Sequence, residues 1–239
     1  MTKICIILIL CFSIKSLYSQ VDLKEVKTAQ DIIDNYISAV GGADKLNGIR
    51  SETVWGTLSG PGFGGNFITY RDDTMTVSKA EGNINDKEML MLKSVTSKDL
   101  AWEYQMGAMK DFTGEELESK EENRIIGSLH FYSGYEKYGY VAESEGTENV
   151  NGKECYKITF TKSGNLFRTV FFDTKTFYIL RSERPEGMIL EYNDFKDVNG
   201  IIKPFTITQI THAKVDQLVK EYKFNEPVDQ SLLMKPAKD

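Results

Sequence analysis

Apolar and polar residues alternate with a period of two over most of the chain. Tyr156, Ile158 and Phe160 alternate with polar residues, and the segments 100–106 and 188–192 follow the same period. A segment of this kind buries one side in a core and leaves the other in water, as half-buried antiparallel strands do. The pattern predicts about ten or eleven strands.

Turn residues separate these strands at the spacing of hairpins. Asn151-Gly152 and Asn199-Gly200 favour type I′ turns, because asparagine and glycine tolerate the left-handed backbone that these turns require. The segments 71–74 and 173–176 predict two further tight reversals. The segment 60–65 has the form G-x-G-x-x-G, but a strand-like segment follows it, so it predicts a hairpin loop rather than a dinucleotide-binding turn.

The first helix is predicted by its cap and by its apolar spacing. Thr28 and Asp31 have the spacing of a capping box, in which two side chains satisfy backbone N–H groups at the start of a helix. Apolar residues then recur at helical spacing as far as Val40, and the glycine pair 41–42 ends the helix. A short helical turn over 43–46 follows.

A second helix is predicted to begin at Thr113, with Glu116 completing a capping box, and to continue to Leu129. No linker, repeat or low-complexity tract divides the chain, so residues 20–239 are predicted to form one domain. A sheet of this size cannot stay flat. The sequence therefore predicts an α+β fold, in which a single large curled antiparallel β-sheet, a half-barrel, wraps two or three helices.

The first residues have the order of a secretory signal peptide. Lys3 precedes an apolar run over 4–12, and the small residue Ser19 closes the segment. The run is too short to span a bilayer, so residues 1–19 are predicted to be removed on export to the periplasm. Their removal takes away Lys3 and Lys15 and no acid, which moves the net charge from −6 to −8. An acidic chain does not attract nucleic acids or anionic lipid surfaces, so lipid contact is expected to be apolar.

Residues with typical catalytic or metal-binding chemistry are few. Cys155 is the only cysteine beyond the predicted signal peptide and lies in an alternating strand, so it is predicted to be a packing residue. Neither His130 nor His212 has a metal-ligand or catalytic-triad pattern beside it. The sequence therefore predicts no catalytic residue, no metal site and no cofactor, and it indicates that the protein is not an enzyme.

Methionine and aromatic residues are frequent in the strands. Methionine adapts to apolar ligands of varied shape, and pockets for such ligands are lined by residues of this kind. The alternative for each of them is an ordinary place in the core. The candidate lipid-binding residues are Trp55, Phe67, Met75, Met89, Met91, Trp102, Tyr104, Phe160 and Phe171.

Several short stretches spread over most of the chain form a recognisable set. They are A-Q-D-I-I-D-N-Y-I at 29–37 with G-G at 41–42 and K-L at 45–46, A-W at 101–102 before T-G-E-E at 113–116, V-N-G-K at 150–153 before Y-K-I at 156–158, F-D-T-K-T at 172–176, and V-N-G-I-I-K-P-F at 198–205. In these stretches the chain resembles the outer-membrane lipoprotein-sorting (LolA-like) proteins of Bacteroidetes.

The resemblance implies a half-open barrel of antiparallel strands over helices, with an apolar cavity. In that family the cavity holds the acyl chains of lipoproteins during their transfer to the outer membrane. Characterised members also use an arginine to latch the lid helices. Arg50, Arg71, Arg168 and Arg181 are available for this role in the present chain, and the resemblance assigns it to none of them.

Two functional hypotheses follow, with an enzyme as a weaker third. The first is an exported, monomeric envelope protein that binds an acyl chain, a phospholipid or a lipoprotein, and carries it in outer-membrane lipoprotein sorting. The second is an envelope sensor or protein-interaction module whose cavity is filled by its own helices and holds no lipid. An envelope hydrolase would need a spatial cluster of polar residues with shifted pKa values. A void beside the helices would favour the first hypothesis over the second.

Overall fold

A single antiparallel sheet forms most of the molecule. The computed structural model describes residues 23–84 and 87–237, so the predicted signal peptide over 1–19 lies outside the described residues. The strands are β1 (Ser51–Gly60), β2 (Phe63–Asp72), β3 (Met75–Ile84), β4 (Lys87–Ser97), β5 (Ala101–Gln105), β6 (Ala108–Phe112), β7 (Tyr140–Val150), β8 (Lys153–Lys162), β9 (Asn165–Asp173), β10 (Ile179–Glu183), β11 (Ile189–Val198), β12 (Ile201–Ile210) and β13 (Lys214–Phe224).

Two meanders join at the middle of this sheet. The strand order is β6-β5-β4-β3-β2-β1-β13-β12-β11-β10-β9-β8-β7, so β1 pairs with both its neighbour in sequence and the last strand. The sheet is not closed, because β6 and β7 are its two outer strands rather than a pair. The predicted fold class, one large curled antiparallel sheet with a few helices, is confirmed.

The sheet has thirteen strands, more than the ten or eleven predicted. The two edge strands explain part of the difference. Residues of β6 and β7 are mostly exposed, because each strand has a neighbour on one side only. Such strands lack the strict alternation of apolar and polar residues that indicates a half-buried strand.

The tight turns form as their residues require. Asn151 and Gly152 have φ angles of 51° and 84°, and Asn199 and Gly200 have φ angles of 56° and 81°. These left-handed conformations are those of type I′ hairpins, as predicted. At the 173–176 reversal, Asp173 Oδ1 accepts hydrogen bonds from the backbone N–H groups of Lys175 and Thr176.

Short helices pack on the sheet. They are α1 (Ala29–Ala39), α2 (Ala43–Asn47), α3 (Gly114–Ile126), α4 (Phe131–Gly134) and α5 (Gln230–Leu233), with a 3₁₀ helix at Tyr135–Tyr138. The capping box of α1 is present as predicted: Thr28 Oγ1 accepts from the backbone N–H of Asp31, and Asp31 accepts from that of Thr28.

The predicted capping box of α3 does not form. Thr113 is the N-cap residue, but its side chain accepts no hydrogen bond from the helix. Gly114, the first helical residue, has a φ of 56°, and Glu116 Oε1 accepts from Lys110 Nζ at 2.6 Å instead. The left-handed backbone of Gly114 and the contact of Glu116 with Lys110 therefore take the place of the predicted capping box. At its other end, α3 stops at Ile126 rather than at the predicted Leu129.

The main core lies between α1, α4 and the strands β8 and β9. Phe131 of α4, Phe160 of β8 and Phe172 of β9 are fully buried, together with Ile32 and Ile33 of α1. We call the face of the sheet that carries α1, α3 and α4 the inner face, and the opposite face the outer face. Helices α1 and α4 pack over β7–β9, and α3 packs against β4, β5 and β6.

A smaller apolar cluster lies on the outer face beneath α5. Leu232 of α5 is 6% exposed and packs with Trp102, Val77 and Val95. Lys93 Nζ donates a hydrogen bond of 2.9 Å to the backbone oxygen of Ser231, which also holds α5 on the sheet.

Replacing Leu232 with alanine is expected to lower the free energy of unfolding by about 2 kcal/mol, because it removes buried methyl groups and leaves a cavity. Denaturation in urea would measure the loss. The neighbouring Leu233 is only partly buried, so Leu233→Ala serves as a control with a smaller loss. Equal values for both variants would show that α5 does not dock as described.

Candidate functional site

A cavity of about 600 Å³ lies between the helices and the inner face. This volume is within the range of about 300–1,000 Å³ in which proteins bind small ligands. Its walls come from α1, α3, α4 and the inner-face strands, so residues distant in sequence meet there. The apolar side chains of the wall include Ile37, Val54, Phe67, Ile179, Leu190, Ile201 and Ile207.

Charged side chains of β1, β2 and β12 form an ion cluster in the cavity wall. Glu52 is 2% exposed, Lys203 Nζ contacts its carboxylate, and Arg71 Nε lies 3.7 Å from Glu52 Oε1. Burial would raise the pKa of Glu52, but the charges of Lys203 and Arg71 outweigh burial and lower the pKa below its ordinary value. Glu52 therefore stays ionised inside the protein and holds two cations at the cavity.

A second pair of cations lies in the opposite wall. Arg168 of β9 is 6% exposed, and its guanidinium donates to the backbone oxygen of Ile126 at 3.3 Å. Arg184, just after β10, also lines the cavity. Burial raises the pKa of the neighbouring Tyr132 to about 12, although Arg168 opposes that shift. Tyr132 is therefore a neutral hydrogen-bond donor at physiological pH.

Helix α3 connects the two ends of the open sheet by polar contacts. Lys120 binds Glu103 of β5 at 2.9 Å, and Glu122 accepts from Tyr140 of β7 and from Lys162 of β8, the latter at 2.8 Å. Only Ile126 of α3 is buried. Solvent-accessible ion pairs hold this side of the cavity wall, and such pairs are individually weak.

Among the nine residues predicted from the sequence to bind lipid, Phe67 lines the cavity. Met89 and Met91 lie in the same apolar cluster as Phe67, on the inner face beside the cavity. Phe160 is fully buried in the main core against Phe131, with 5.2 Å between the ring centroids. Phe171 is buried in a separate cluster with Cys155.

The remaining four of the nine residues also lie outside the cavity lining. Trp102 and Met75 belong to the outer-face cluster under α5, and Tyr104 is a half-buried residue of β5. Trp55 faces Glu221 on the neighbouring strand and donates a hydrogen bond of 2.7 Å from its indole nitrogen. The structure thus brings together Phe67, Met89 and Met91. Lipid contact by the nine residues remains a prediction.

Cys155 and His130 have the surroundings of structural residues. Cys155 is fully buried in β8, and burial raises the pKa of its thiol to about 11. This confirms Cys155 as a strand residue, since a reactive thiol needs a lowered pKa. His130 Nε2 lies 2.9 Å from the backbone oxygen of Ile49 and helps to hold α4 against the chain before β1.

The charged residues of the cavity were not identified from the sequence as ligand contacts. Arg168 carries the one available signal, because it interrupts the apolar run from Phe167 to Phe172. Glu52 and Lys203 give no such signal, since their contact joins strands about 150 residues apart and depends on register.

Over 23–84 and 87–237, no helix is long and apolar enough to cross a membrane. The same residues hold no group of three or more His, Cys, Asp or Glu side chains placed to bind a metal ion.

Several solved structures share this fold. A DUF1329 family protein from Desulfovibrio piger has a TM-score of 0.56 at 11% sequence identity, over 87% of this chain and 98% of that protein. A LolA superfamily protein from Nitrosomonas europaea has a TM-score of 0.52 at 10% identity, over 88% and 99%. A domain assigned to the outer membrane lipoprotein-sorting proteins, from Vibrio parahaemolyticus, has a TM-score of 0.52 at 9% identity, over 84% and 94%.

These structures define the fold class of the chain as LolA-like. No protein-family model matches the sequence, and no curated protein matches it either. At identities of 9–11% the similarity concerns the fold alone. The resemblance to LolA-like proteins is therefore confirmed for the fold, while the assignment to the Bacteroidetes type remains a prediction.

Proposed function

We propose that this chain is an exported envelope protein that binds an acyl chain in the cavity under its curled sheet and carries lipid or lipoprotein in outer-membrane lipoprotein sorting. The observation that carries the proposal is the cavity of about 600 Å³ beside the helices, with apolar side chains on several of its walls. The LolA-like fold supports the same function, since structures of lipoprotein-sorting and LolA superfamily proteins share it.

Burial of the chain would provide the affinity. Each methylene transferred from water contributes about 0.8 kcal/mol, so ten buried methylenes contribute about 8 kcal/mol before the entropy of association is subtracted. A free energy near 8 kcal/mol corresponds to a dissociation constant of about 1 μM, so micromolar or weaker binding is expected for one chain. A carrier needs affinity of this order, because it must also release its cargo.

The second hypothesis, an envelope sensor or protein-interaction module, expects the helices to fill the space under the sheet. The cavity beside α1, α3 and α4 supports the carrier instead. An enzymatic function receives no support from the ion pairs described above, because the lowered pKa of Glu52 leaves it with no proton to donate at neutral pH and makes it a weak base.

Filling the cavity is expected to abolish binding. Ile207 of β12 lines the cavity, and Ile207→Trp places an indole in the space that the chain would occupy. Fluorescence titration with the methyl ester of cis-parinaric acid, a neutral polyene ester, should show binding by the native chain and at least tenfold weaker binding by the variant.

A matched control lies on the outer face of the same pair of strands. Leu218 of β13 is opposite Thr206 and is 52% exposed, so Leu218→Trp should leave binding unchanged. Equal affinity of both tryptophan variants for the ester would contradict the proposed cavity. Failure of the native chain to bind both the ester and the parent acid would contradict the proposed function.

A further inference from the structure

Basic side chains dominate the charged part of the cavity lining, although the chain as a whole has a net charge of −6. One acid, Glu52, lines the cavity among the described residues. The basic residues of the lining are Arg71, Lys120, Arg124, Arg168, Arg184 and Lys203. An interior of opposite sign to the surface indicates a ligand with a negative group.

Five of the six cations have a carboxylate oxygen within 4 Å, and for four of them the partner carboxylate is largely buried. Lys203 and Arg71 share Glu52. Lys120 binds Glu103 at 2.9 Å, and Arg124 forms a two-point contact with Glu121 at 2.6 and 2.8 Å.

Arg168 and Arg184 have no comparable partner. Within the part of the chain that the structure describes, Arg168 forms no salt bridge, and its guanidinium contacts only neutral groups, the backbone oxygen of Ile126 and the hydroxyl of Tyr132. Arg184 lies 3.5 Å from Glu186, whose side chain is 61% exposed, so solvent screens this contact. The Nε atoms of both arginines are buried and have no hydrogen-bond partner among the described residues.

The register of the sheet also puts these two cations side by side. Thr169 pairs with Glu183, so one step further along the antiparallel ladder Arg168 lies opposite Arg184. Like charges directly opposite on neighbouring strands destabilise a sheet. Burial and the charge of Arg168 both lower the pKa of Arg184, and they outweigh the opposing effect of the exposed Glu186.

We propose that Arg168 and Arg184 bind the oxyanion, a carboxylate or a phosphate, at the head of the amphiphile whose chain occupies the cavity. This inference rests on the proposed function and names the ligand class for the same site. The guanidinium groups form charge-assisted hydrogen bonds with carboxylate or phosphate oxygens, often two at a time. Tyr132, neutral at physiological pH, adds a hydroxyl donor beside Arg168.

An acid and its methyl ester separate head-group recognition from chain binding. Both forms of cis-parinaric acid carry the same polyene chain, and the acid alone is charged at neutral pH. Fluorescence titration of the native chain should give at least tenfold tighter binding of the acid than of the ester. Arg184→Gln should remove this difference by weakening binding of the acid at least tenfold more than binding of the ester, and Arg184→Lys should restore part of it.

Control variants distinguish a loss of head-group recognition from a loss of folding. Arg181→Gln on the outer face removes a cation that pairs with Glu191 at 2.7 Å, and it should keep the preference for the acid. Arg168→Gln should behave as Arg184→Gln does; ester binding by either variant shows that the cavity is intact.

The outcomes distinguish this inference from the function on which it rests. Equal binding of acid and ester by the native chain, or a preference that survives both glutamine variants, would overturn the head-group site and leave the carrier proposal standing. Failure of both probes to bind would instead overturn the carrier proposal.

Competition then identifies the anion. Displacement of the bound acid by palmitate indicates a carboxylate ligand, and stronger displacement by hexadecyl phosphate indicates a phosphate head group; either result supports the proposal. Equally strong displacement by the uncharged hexadecanol would overturn it.

Discussion

Glu52→Gln is expected to lower the free energy of unfolding by about 3 kcal/mol. The substitution keeps the size of the side chain but removes the negative charge between Lys203 and Arg71. Two partly buried cations would then face each other beside a neutral amide, and breaking a buried ion pair from one side is more destabilising than replacing the whole pair. Denaturation in urea at neutral pH measures the loss.

The pH dependence of stability is an independent test of the ion cluster around Glu52. The pKa of Glu52 is lower in the folded chain than its ordinary value of 4.5, so the carboxylate stabilises the fold fully above that value. This stabilisation is lost as the pH falls from 4.5 through the folded-state pKa. The native chain should therefore lose part of its stability in that window, and Glu52→Gln should lose less.

Glu221→Gln is the matched control for Glu52→Gln. Glu221 lies on the outer face of the adjacent strand, is exposed, and accepts a hydrogen bond from Trp55. A change within about 0.5 kcal/mol is expected for an exposed residue of this kind. If Glu52→Gln were no more destabilising than Glu221→Gln, the buried ion cluster would not contribute to stability as described.

Phe131→Ala is expected to have a larger effect, a loss of about 4 kcal/mol. The ring of Phe131 is fully buried and makes edge-to-face or tilted contacts with Tyr140 at 5.3 Å, Tyr132 at 5.4 Å and Phe160 at 5.2 Å between centroids. Removing it leaves a cavity at the centre of the main core, where the surrounding aromatic side chains collapse only in part.

The same substitution tests how the core supports the site. Phe131 fixes α4, and Tyr132 and Ser133 of α4 line the cavity. Binding of the parinaric ester should weaken together with stability. Tyr138→Ala, in the neighbouring 3₁₀ helix, removes a ring that is 41% exposed and should change neither property appreciably. Loss of stability with unchanged ester binding would show that α4 does not form the cavity wall.

Local features of the fold were predicted correctly where the chemistry is local. The Thr28–Asp31 capping box and the two Asn-Gly turns depend on residues within three positions of one another, and the structure confirms them. The capping box at Thr113 failed although its spacing is the same. The left-handed Gly114 and the contact of Glu116 with Lys110 decide that helix start, and neither can be read from the motif itself.

The site was harder to predict because sheet register creates it. Period-two alternation shows that Phe160 and Trp102 are buried, but not whether they face a void, a helix or the outer face. In the structure they lie in two solid clusters on opposite faces. Arg168 and Arg184 become neighbours only through the pairing of β9 with β10. Such contacts need the full strand order, which the sequence pattern does not specify.

The expectation that an acidic chain does not attract anionic lipid headgroups applies to the exterior of the molecule. The net charge of −6 describes the whole chain and gives no sign of the basic cavity inside it. A cavity with apolar walls and two neighbouring arginines, neither of which has a buried carboxylate partner, fits an anionic amphiphile better than a purely apolar chain. The net charge of the chain therefore describes its exterior and not the lining of its cavity.

The most direct test of the central claim is mass spectrometry of organic extracts from the full-length chain, expressed in a Gram-negative host and purified from its periplasm. We expect an acyl lipid, phospholipid or acylated peptide in stoichiometric amount, and a marked reduction of that amount in Ile207→Trp. A lipid-free native protein that also fails to bind lipoprotein or phospholipid on incubation would contradict the account and favour the interaction module.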